Sequence, residues 1–319
     1  MGDIAKGALG GGWALLVGWI LPTALNLAVF LFAVAPSVHR PAILAGHHPA
    51  TGGRTALLLL VAAVLLGLVL NALQTPLYRF LEGYALWPAV AYERGCRVQR
   101  ARRGRIADRL AATAGAAPIR RALLAEKLSR YPVDDDQIAP TRLGNAIRRF
   151  EEYGHDRYRL DTQVLWNELT SAAPEWTRKQ NESARTNVDF FVALLYGHAV
   201  VAATAFTALS SGRGDRPVLA VTGVVLVVLI PVWYHAAVAA TDEWAAAVRA
   251  LVNLGRKPLA EALGLDLPGD LEEERTMWQL VTRMSRRRYA PAAVTAFAPY
   301  RARPNRPEDS GPDAARNRS

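Results

Sequence analysis

The chain has 319 residues, of which 51% are hydrophobic and 21% charged, and its formal net charge is +10 at pH 7. The apolar residues collect in long blocks with the charged residues between them. This segregation is typical of a chain partitioned by a bilayer and excludes an ordinary soluble domain. The single cysteine, Cys96, excludes an internal disulfide and any metal site built from several cysteines. The abundance of Ala, Arg, Gly and Val favours a bacterial source.

The first apolar block runs from about Trp13 to Ala35. It is long enough to cross the hydrocarbon core, which takes about 20 helical residues. A secretory signal is the alternative, because Ala33-Val34-Ala35 resembles a small-residue cleavage site. The block is long for a signal core and only Lys6 precedes it, so we favour a retained membrane helix.

An external loop is predicted at residues 36–54, which are rich in Pro and Gly and contain only two arginines. Its adjacent histidines, His47 and His48, lack a third ligand at a useful spacing, so we do not predict a metal site there. The second apolar block, residues 55–73, carries no charge, and Asn71 is its one strongly polar interior residue.

Aromatic and charged side chains follow Pro76 and suit the headgroup layer of a membrane. They are Tyr78, Arg79, Phe80, Glu82, Tyr84 and Trp87. Beyond them lies the densest positive run of the chain, made of Arg94, Arg97, Arg100, Arg102, Arg103, Arg105 and Arg109. The run predicts that the chain is cytoplasmic after the second helix. We expect it to contact anionic lipid headgroups, and we do not expect nucleic acid as a partner.

Residues 75–187 are hydrophilic and mainly helical by pattern, with a break at residues 131–140. The break contains Asp134-Asp135-Asp136, which we interpret as a solvated acidic loop, since no further carboxylates at helical spacing support a magnesium site. Thr141 is a predicted N-cap for the helix that follows.

Two long continuous helices are predicted in the second half of the chain. Pro174 is suited to open a helix, and no breaker follows Glu175 before Gly197, so residues 175–209 are predicted to form one helix that enters a third span. A short external turn precedes the fourth span, which continues past Ala239 without Gly or Pro until Gly255. Residues 218–253 are therefore predicted to form the second helix.

An amphipathic helix is predicted after Asp270 and Glu273, which form a capping pair. Its apolar face consists of Met277, Leu280, Val281 and Met284. This helix either lies on the membrane surface or packs on the protein, and the sequence leaves both alternatives open.

The predicted fold class is an all-α membrane protein with four transmembrane helices in two hairpins. The predicted parts are a first hairpin at 1–74, a helical cytoplasmic domain at 75–187, a second hairpin at 188–240, cytoplasmic C-terminal helices at 241–298 and a disordered tail at 299–319. The external loops hold only Arg40, Arg54, Arg213 and Arg216 of the 38 Lys and Arg residues. The charge asymmetry predicts a multi-pass protein of a bacterial plasma membrane with both termini in the cytoplasm.

Two stretches are distinctive, LQTPLYRFLEGY at residues 73–84 and PTRLGN at residues 140–145. Both resemble segments of a widespread, uncharacterised family of bacterial multi-pass membrane proteins. In that family the second segment precedes a helix that leads directly into a membrane span. This chain has Arg159-Leu160-Asp161 where the family has Gly-Ile-Asp. The resemblance implies a membrane fold and carries no known activity.

Candidate functional residues come from the two segments and from the polar positions of the spans. They are Arg79, Glu82, Arg142, Asn145, Asp189, His198 and His235. An ionisable group at membrane depth is costly and therefore a functional candidate. Asp189 is at the entry of its span, where contact with headgroups is the favoured interpretation. For the two histidines we favour a neutral ring hydrogen-bonded between helices.

No phosphate-binding loop, nucleophile elbow or zinc-binding helix motif occurs, and we predict no cofactor. Three function classes stay open: a non-enzymatic scaffold or sensor, which we favour, a subunit of a pore or transporter, and a membrane enzyme acting on an anionic or lipid-linked substrate. A pore needs polar residues converging on one face and a symmetric homo-oligomer. An enzyme needs clustered titratable groups in a pocket.

Reporter fusions test the predicted topology. Fusions at residues 130 and 300 should report the cytoplasm and fusions at residues 45 and 214 the opposite side, because the arginine run holds the chain inside after the second helix. A fusion at residue 130 that is active only outside the cytoplasm would contradict this topology.

Overall fold

The computed structural model describes residues 12–37, 53–113, 118–211, 215–288 and 295–302. The described part is helical, as the sequence predicts, and contains no β-strand. One isolated bridge joins Leu265 and Arg301. The predicted external loop, with its histidines, and the turn before the fourth span lie largely outside the described residues, as does the chain after Ala302.

The described residues form eleven helices of more than four residues, besides short 3-10 turns. They are α1 Gly12–Ser37, α2 Gly53–Ala72, α3 Gln74–Glu82, α4 Ala89–Ala112, α5 Pro118–Leu128, α6 Arg142–Glu151, α7 Tyr153–Tyr158, α8 Trp166–Ala172, α9 Glu175–Ser210, α10 Arg216–Ala262 and α11 Leu271–Arg286. Three of them, α1, α9 and α10, are long and apolar enough to cross a membrane. Helices α2 and α3 form a pair bent by 58°, which makes a fourth span if the pair is taken as one.

Helix α1 contains two stretches with wider, π-helical turns, Leu16–Ile20 and Phe30–Val34. The first precedes Pro22, which has no N–H to give to the preceding turn and whose ring would crowd a carbonyl of a regular α-helix. Nearby polar side chains bond the backbone instead, with the Thr23 hydroxyl donating to the Trp19 carbonyl at 2.7 Å. Turns of this kind often occur at functional sites because they re-aim side chains.

Glycines bring the apolar helices close together. A Cβ at Gly67 of α2 would lie 2.9 Å from Ile20 Cα, and one at Gly18 of α1 would lie 3.2 Å from Asp189 Cβ. A Cβ at Gly197 of α9 would overlap the side-chain amide of Asn26. Small residues at such crossings are typical of helix packing in membranes.

The two predicted long helices are confirmed, since α9 and α10 include residues 175–209 and 218–253 without interruption. The prediction that Gly255 ends the second helix is wrong, because α10 continues to Ala262. Gly255 instead permits close packing, since a Cβ there would lie 2.9 Å from Leu169 Cδ1 and 3.1 Å from Ala173 Cβ.

The chain divides into two compact units, residues 1–150 with 179–248 and residues 151–178 with 249–319. The first unit contains the apolar helices and the polar helices α4 to α6. Its apolar end packs around a cluster formed by Val34, Val201, Ala202, Ala205, Leu219 and Leu226.

The second unit has its own core and includes α11, whose residues Met277, Trp278 and Val281 are buried. Of the two alternatives for this amphipathic helix, the structure shows packing on the protein. The buried Glu274 carboxylate accepts the Trp278 indole N–H at 3.0 Å and pairs with Arg256. Arg256 also lies over the Tyr158 ring, 4.4 Å from its centroid.

Two backbone features of the second unit concern the end of α7 and the predicted C-terminal tail. Arg159 follows α7 in the left-handed conformation, with φ 59°. This conformation favours glycine at a helix C-terminus, so an arginine here carries some backbone strain. The backbone of Tyr300 and Ala302 is bonded to Asp266 and Gly264, so paired chain extends beyond residue 299, where the predicted tail begins.

Two glycines of α4 provide a matched test of the packing. Gly95→Ala should lower the free energy of unfolding by about 1–3 kcal/mol, because the new Cβ would lie 2.5 Å from Pro140 Cβ. Gly104→Ala should raise it by about 0.5–1 kcal/mol, because nothing lies within 4 Å and alanine favours a helix. Thermal midpoints of the detergent-solubilised protein measure both, and equal shifts would contradict the packing described.

Candidate functional site: a buried polar cluster among the apolar helices

Asp189 is the centre of a polar cluster in the first unit. It lies on α9, directly after the polar beginning of that helix, and is only 7% exposed. Its carboxylate accepts the Tyr78 hydroxyl of α3 at 2.7 Å and the indole N–H of Trp19 from the π-helical turn of α1. One carboxylate therefore joins three helices, and the predicted contact with headgroups is replaced by burial within the protein.

The charge of Asp189 is only weakly compensated. The Arg185 Nε is 3.9 Å from the carboxylate, and the Arg185 side chain is 45% exposed. Arg185 also donates to the Gln74 Oε1 at 2.9 Å. Two neutral donors therefore satisfy the buried carboxylate, and an arginine at the edge of the cluster supplies the nearest positive charge. A buried carboxylate is tolerated when hydrogen bonds replace its hydration.

Helix α3 is bonded to α9 at three successive points. The Gln74 and Tyr78 side chains bond Arg185 and Asp189, and the Leu77 carbonyl accepts the Tyr196 hydroxyl at 2.8 Å. Because the bend between α2 and α3 lays α3 against α9, this short helix forms part of the wall around the cluster.

A second polar pair lies farther along the same helices. The Asn26 Oδ1 of α1 and the His198 Nδ1 of α9 are 2.8 Å apart, and the Asn26 amide also donates to the Pro22 carbonyl. The Trp233 ring of α10 meets the His198 ring edge to face. This is the interhelical histidine that the sequence predicts, with its partner now identified. Among the described residues, the Trp233 indole N–H has no hydrogen-bond acceptor.

The two distinctive sequence segments contact each other at the polar end of the first unit. Gly83 ends α3 with φ 93°, a conformation that glycine adopts without strain. A Cβ at Gly83 would overlap Pro140, and a Cβ at Gly144 would lie 2.6 Å from the Glu82 carbonyl oxygen. The two segments therefore approach too closely for a side chain at either glycine, with Gly83 against the Pro140 ring and Gly144 against the Glu82 carbonyl.

Asn145 and Arg142 fix the second segment. The Asn145 Oδ1 accepts the Ala139 N–H at 2.8 Å, and its Nδ2 donates to the Ala139 and Thr141 carbonyls. Thr141 caps α6 as predicted, accepting the Gly144 N–H at 2.9 Å. Arg142 Nη1 is 2.9 Å from His235 Nε2 on α10. The interhelical partner predicted for His235 is thus an arginine.

Arg79 and Glu82 lie at the same junction, at the end of α3. Arg79 and Arg148 are both close enough to the half-buried Glu82 carboxylate to attract it. Arg148 also donates to the Gln137 carbonyl at 2.8 Å and lies over the Tyr84 ring. All seven residues predicted as candidates are in the first unit, divided between the Asp189 cluster, the His198 pair and this junction.

Sequence reasoning missed the partners that complete these sites. Tyr78 and Trp19 were placed in interfacial or apolar segments, and neither carries a signal for a buried bond to residue 189. Arg130, the residue before the break, pairs with Asp242 of α10, and hydrogen bonding to Asp242 raises the pKa of the Arg130 guanidinium. The acidic loop pairs with the arginine run through Asp135 and Arg103.

No protein-family model, curated protein or solved structure matches this chain.

A double-mutant cycle tests the Asp189 cluster. Tyr78→Phe should lower the free energy of unfolding by about 1.5–3 kcal/mol, because it leaves a buried carboxylate short of one donor. Combined with Asp189→Asn, the loss should be smaller than the sum of the two single losses by at least about 0.5 kcal/mol. Chemical denaturation in detergent measures these values.

Tyr196→Phe is the control for this cycle. It removes a hydroxyl that donates to the Leu77 carbonyl, a neutral acceptor on the neighbouring turn of α3. Its effect should add to that of Asp189→Asn. If the losses in Tyr78→Phe and Asp189→Asn also simply added, the bond between Tyr78 and Asp189 would not hold the helices together.

Proposed function

We propose that this chain is an integral membrane protein that acts as a non-enzymatic scaffold or sensor and couples the state of the bilayer to its polar helices. In this proposal α1, the bent α2–α3 pair, α9 and α10 cross a bacterial plasma membrane, and both termini are cytoplasmic. The lipid bilayer is its constant partner, and anionic headgroups lie against α4.

The observation that supports this proposal best is the position of Asp189. The carboxylate lies where α9 changes from polar to apolar, and it joins α1 and α3 to that helix. Helix α3 ends at Glu82 and Gly83, which touch Gly144 and Pro140. A displacement of α1 against α9 would thus reach the polar helices through α3, by contacts that are continuous from one to the next.

Continuity of the helices supports the same route. Helix α9 has 36 residues and α10 has 47, and both run from an apolar segment into a polar one within a single helix. A continuous helix transmits rotation and tilt that a flexible linker would absorb. In the first unit these polar segments carry the contacts of Trp244 with Asn181 and of Asp242 with Arg130.

The arginines of α4 support a surface for anionic lipid. Arg94, Arg97, Arg105 and Arg109 are exposed on this helix, which begins directly after the segment with Trp87. Each cation near an anionic surface contributes on the order of 1 kcal/mol to membrane binding. Arg103 is bonded within the protein and is not part of this surface.

A second candidate is a subunit of a pore or transporter, because Asp189 and the Asn26–His198 pair are buried polar sites at two levels of the same apolar helices. Polar residues that converge at membrane depth mark many substrate and proton paths. Flux of ions or protons into vesicles that contain the protein, abolished by Asp189→Asn, would favour this candidate over the scaffold or sensor.

Spin labels test the proposed coupling. In a Cys96→Ala background, labels at Asp108→Cys on α4 and Gln180→Cys on α9 report the arrangement of the polar helices, since both positions are exposed. Changing the nanodisc from short-chain to long-chain lipid should shift the distance between them by on the order of 2 Å. Two glycines inserted after Glu182 should abolish the shift, because they break the helix between the label and the membrane.

Two glycines inserted after Ser211, between α9 and α10, form the control and should leave the shift unchanged. The membrane fraction after carbonate washing shows that every variant is inserted. An equal shift in both insertion variants, or no shift in the parent protein, would contradict the proposed coupling.

A further inference from the structure

A cleft of about 320 Å³ lies between the first half of α4 and the segment before α6, in the first unit. Cys96 and Ile138 are buried at its base, with exposures of 4% and 1%. Tyr92 hydrogen-bonds to Cys96, and burial raises the pKa of the Tyr92 phenol, which keeps it protonated. The volume corresponds to about ten water molecules in the liquid, enough for a small polar group.

Four charged side chains line the rim of the cleft, Glu93, Arg97 and Arg100 from α4 and Asp136 from the opposite wall. All four residues are exposed. Arg100 gives its Nε–H to the Asp135 carbonyl at 3.0 Å. Within the described part of the chain, Glu93, Arg97 and Asp136 form no ion pair or hydrogen bond through their side chains.

The open charges of the rim differ from those of neighbouring arginines. Arg103 pairs with Asp135, and Arg130 pairs with Asp242 and Glu126. Glu93 and Arg97 are four residues apart on one helix, a spacing that favours pairing, yet they are not paired. The cleft therefore presents donors and acceptors side by side, a pattern suited to a ligand that carries both an anion and hydrogen-bond donors.

We propose that this cleft binds the headgroup of an anionic glycerophospholipid that has a polyol head. The phosphate would lie between Arg97 and Arg100, because guanidinium groups bind phosphate oxygens by charge-assisted hydrogen bonds. The carboxylates of Glu93 and Asp136 would accept bonds from the hydroxyls of the head. Phosphatidylglycerol has this combination, whereas phosphatidic acid has the phosphate without the hydroxyls.

The location of the cleft favours a lipid over a soluble phosphate ester. Helix α4 begins at Ala89, and Arg97 lies eight residues later, about 12 Å along the helix. The indole of Trp87, just before α4, bonds the carbonyl of Phe80 on α3, in the segment that suits the headgroup layer. This inference rests on the proposed membrane placement. It assigns one defined lipid-headgroup site within the positive surface of α4.

Native mass spectrometry of the full-length protein in detergent tests the site. The parent protein incubated with phosphatidylglycerol should retain one lipid per chain, and phosphatidylcholine should not replace it. Arg97→Gln should reduce the retained lipid by on the order of tenfold, as expected when a hydrogen-bonded charge is lost. Arg109→Gln, on the same helix and away from the cleft, should change it less than twofold. Glu93→Gln should narrow the preference for phosphatidylglycerol over phosphatidic acid.

Soluble competitors identify the source of the phosphate. Displacement of phosphatidylglycerol by sn-glycerol 3-phosphate, but not by inorganic phosphate at the same concentration, supports recognition of the polyol head. Retention of sn-glycerol 3-phosphate without any retained lipid would overturn the lipid assignment and identify a soluble ligand. Equal losses in Arg97→Gln and Arg109→Gln, or no loss in Arg97→Gln, would overturn the site.

The same samples separate this proposal from the function proposed above. A parent protein that stays in carbonate-washed membranes and shows the label shift, yet retains no phosphatidylglycerol, refutes only the cleft. A parent protein that washes off the membrane refutes the proposed function first.

Discussion

The buried carboxylate of Asp189 is the constraint on which the apolar part of this protein depends. An isolated charge in a low-dielectric interior costs far more than one hydrogen bond returns, so its donors must be held in place. Tyr78 and Trp19 provide these donors from two other helices. The close approach at Gly18, the wide turn around Trp19 and the bend before α3 all serve this geometry, since each brings a donor within reach.

A few close contacts likewise hold the junction at the polar end of the first unit. Two segments distant in the sequence meet through glycines, and Pro140 lies against both Gly83 and Gly95. Asn145 satisfies backbone groups of the turn that holds Pro140, so the proline is fixed from its own side as well. Packing at this junction places glycine backbone against the Pro140 ring and the Glu82 carbonyl, which leaves few substitutions that conserve it.

The sequence predicted the helices better than their contacts. The start of α9 after Pro174 and the length of both long helices follow from the positions of breakers, which act locally. The end of α10 was missed because Gly255 is needed for packing, a reason that only the folded chain reveals. The partners of Asp189 were missed because Tyr78 is 111 residues away and nothing in a linear pattern connects the two. Ionisable residues in apolar segments drew attention to Asp189 and His198, and their burial and pairing came only from the tertiary fold.

The long separation between Tyr78 and Asp189 also has a consequence for biosynthesis. Trp19 and Tyr78 are synthesised more than a hundred residues before Asp189, so both donors leave the ribosome before the carboxylate does. The aspartate then enters a site prepared for it, and its transfer from water is costly only when that site is missing. In the proposed membrane placement, the N-terminal helices would thereby act as a template for insertion of the third apolar helix, and the order of synthesis would become part of the folding mechanism.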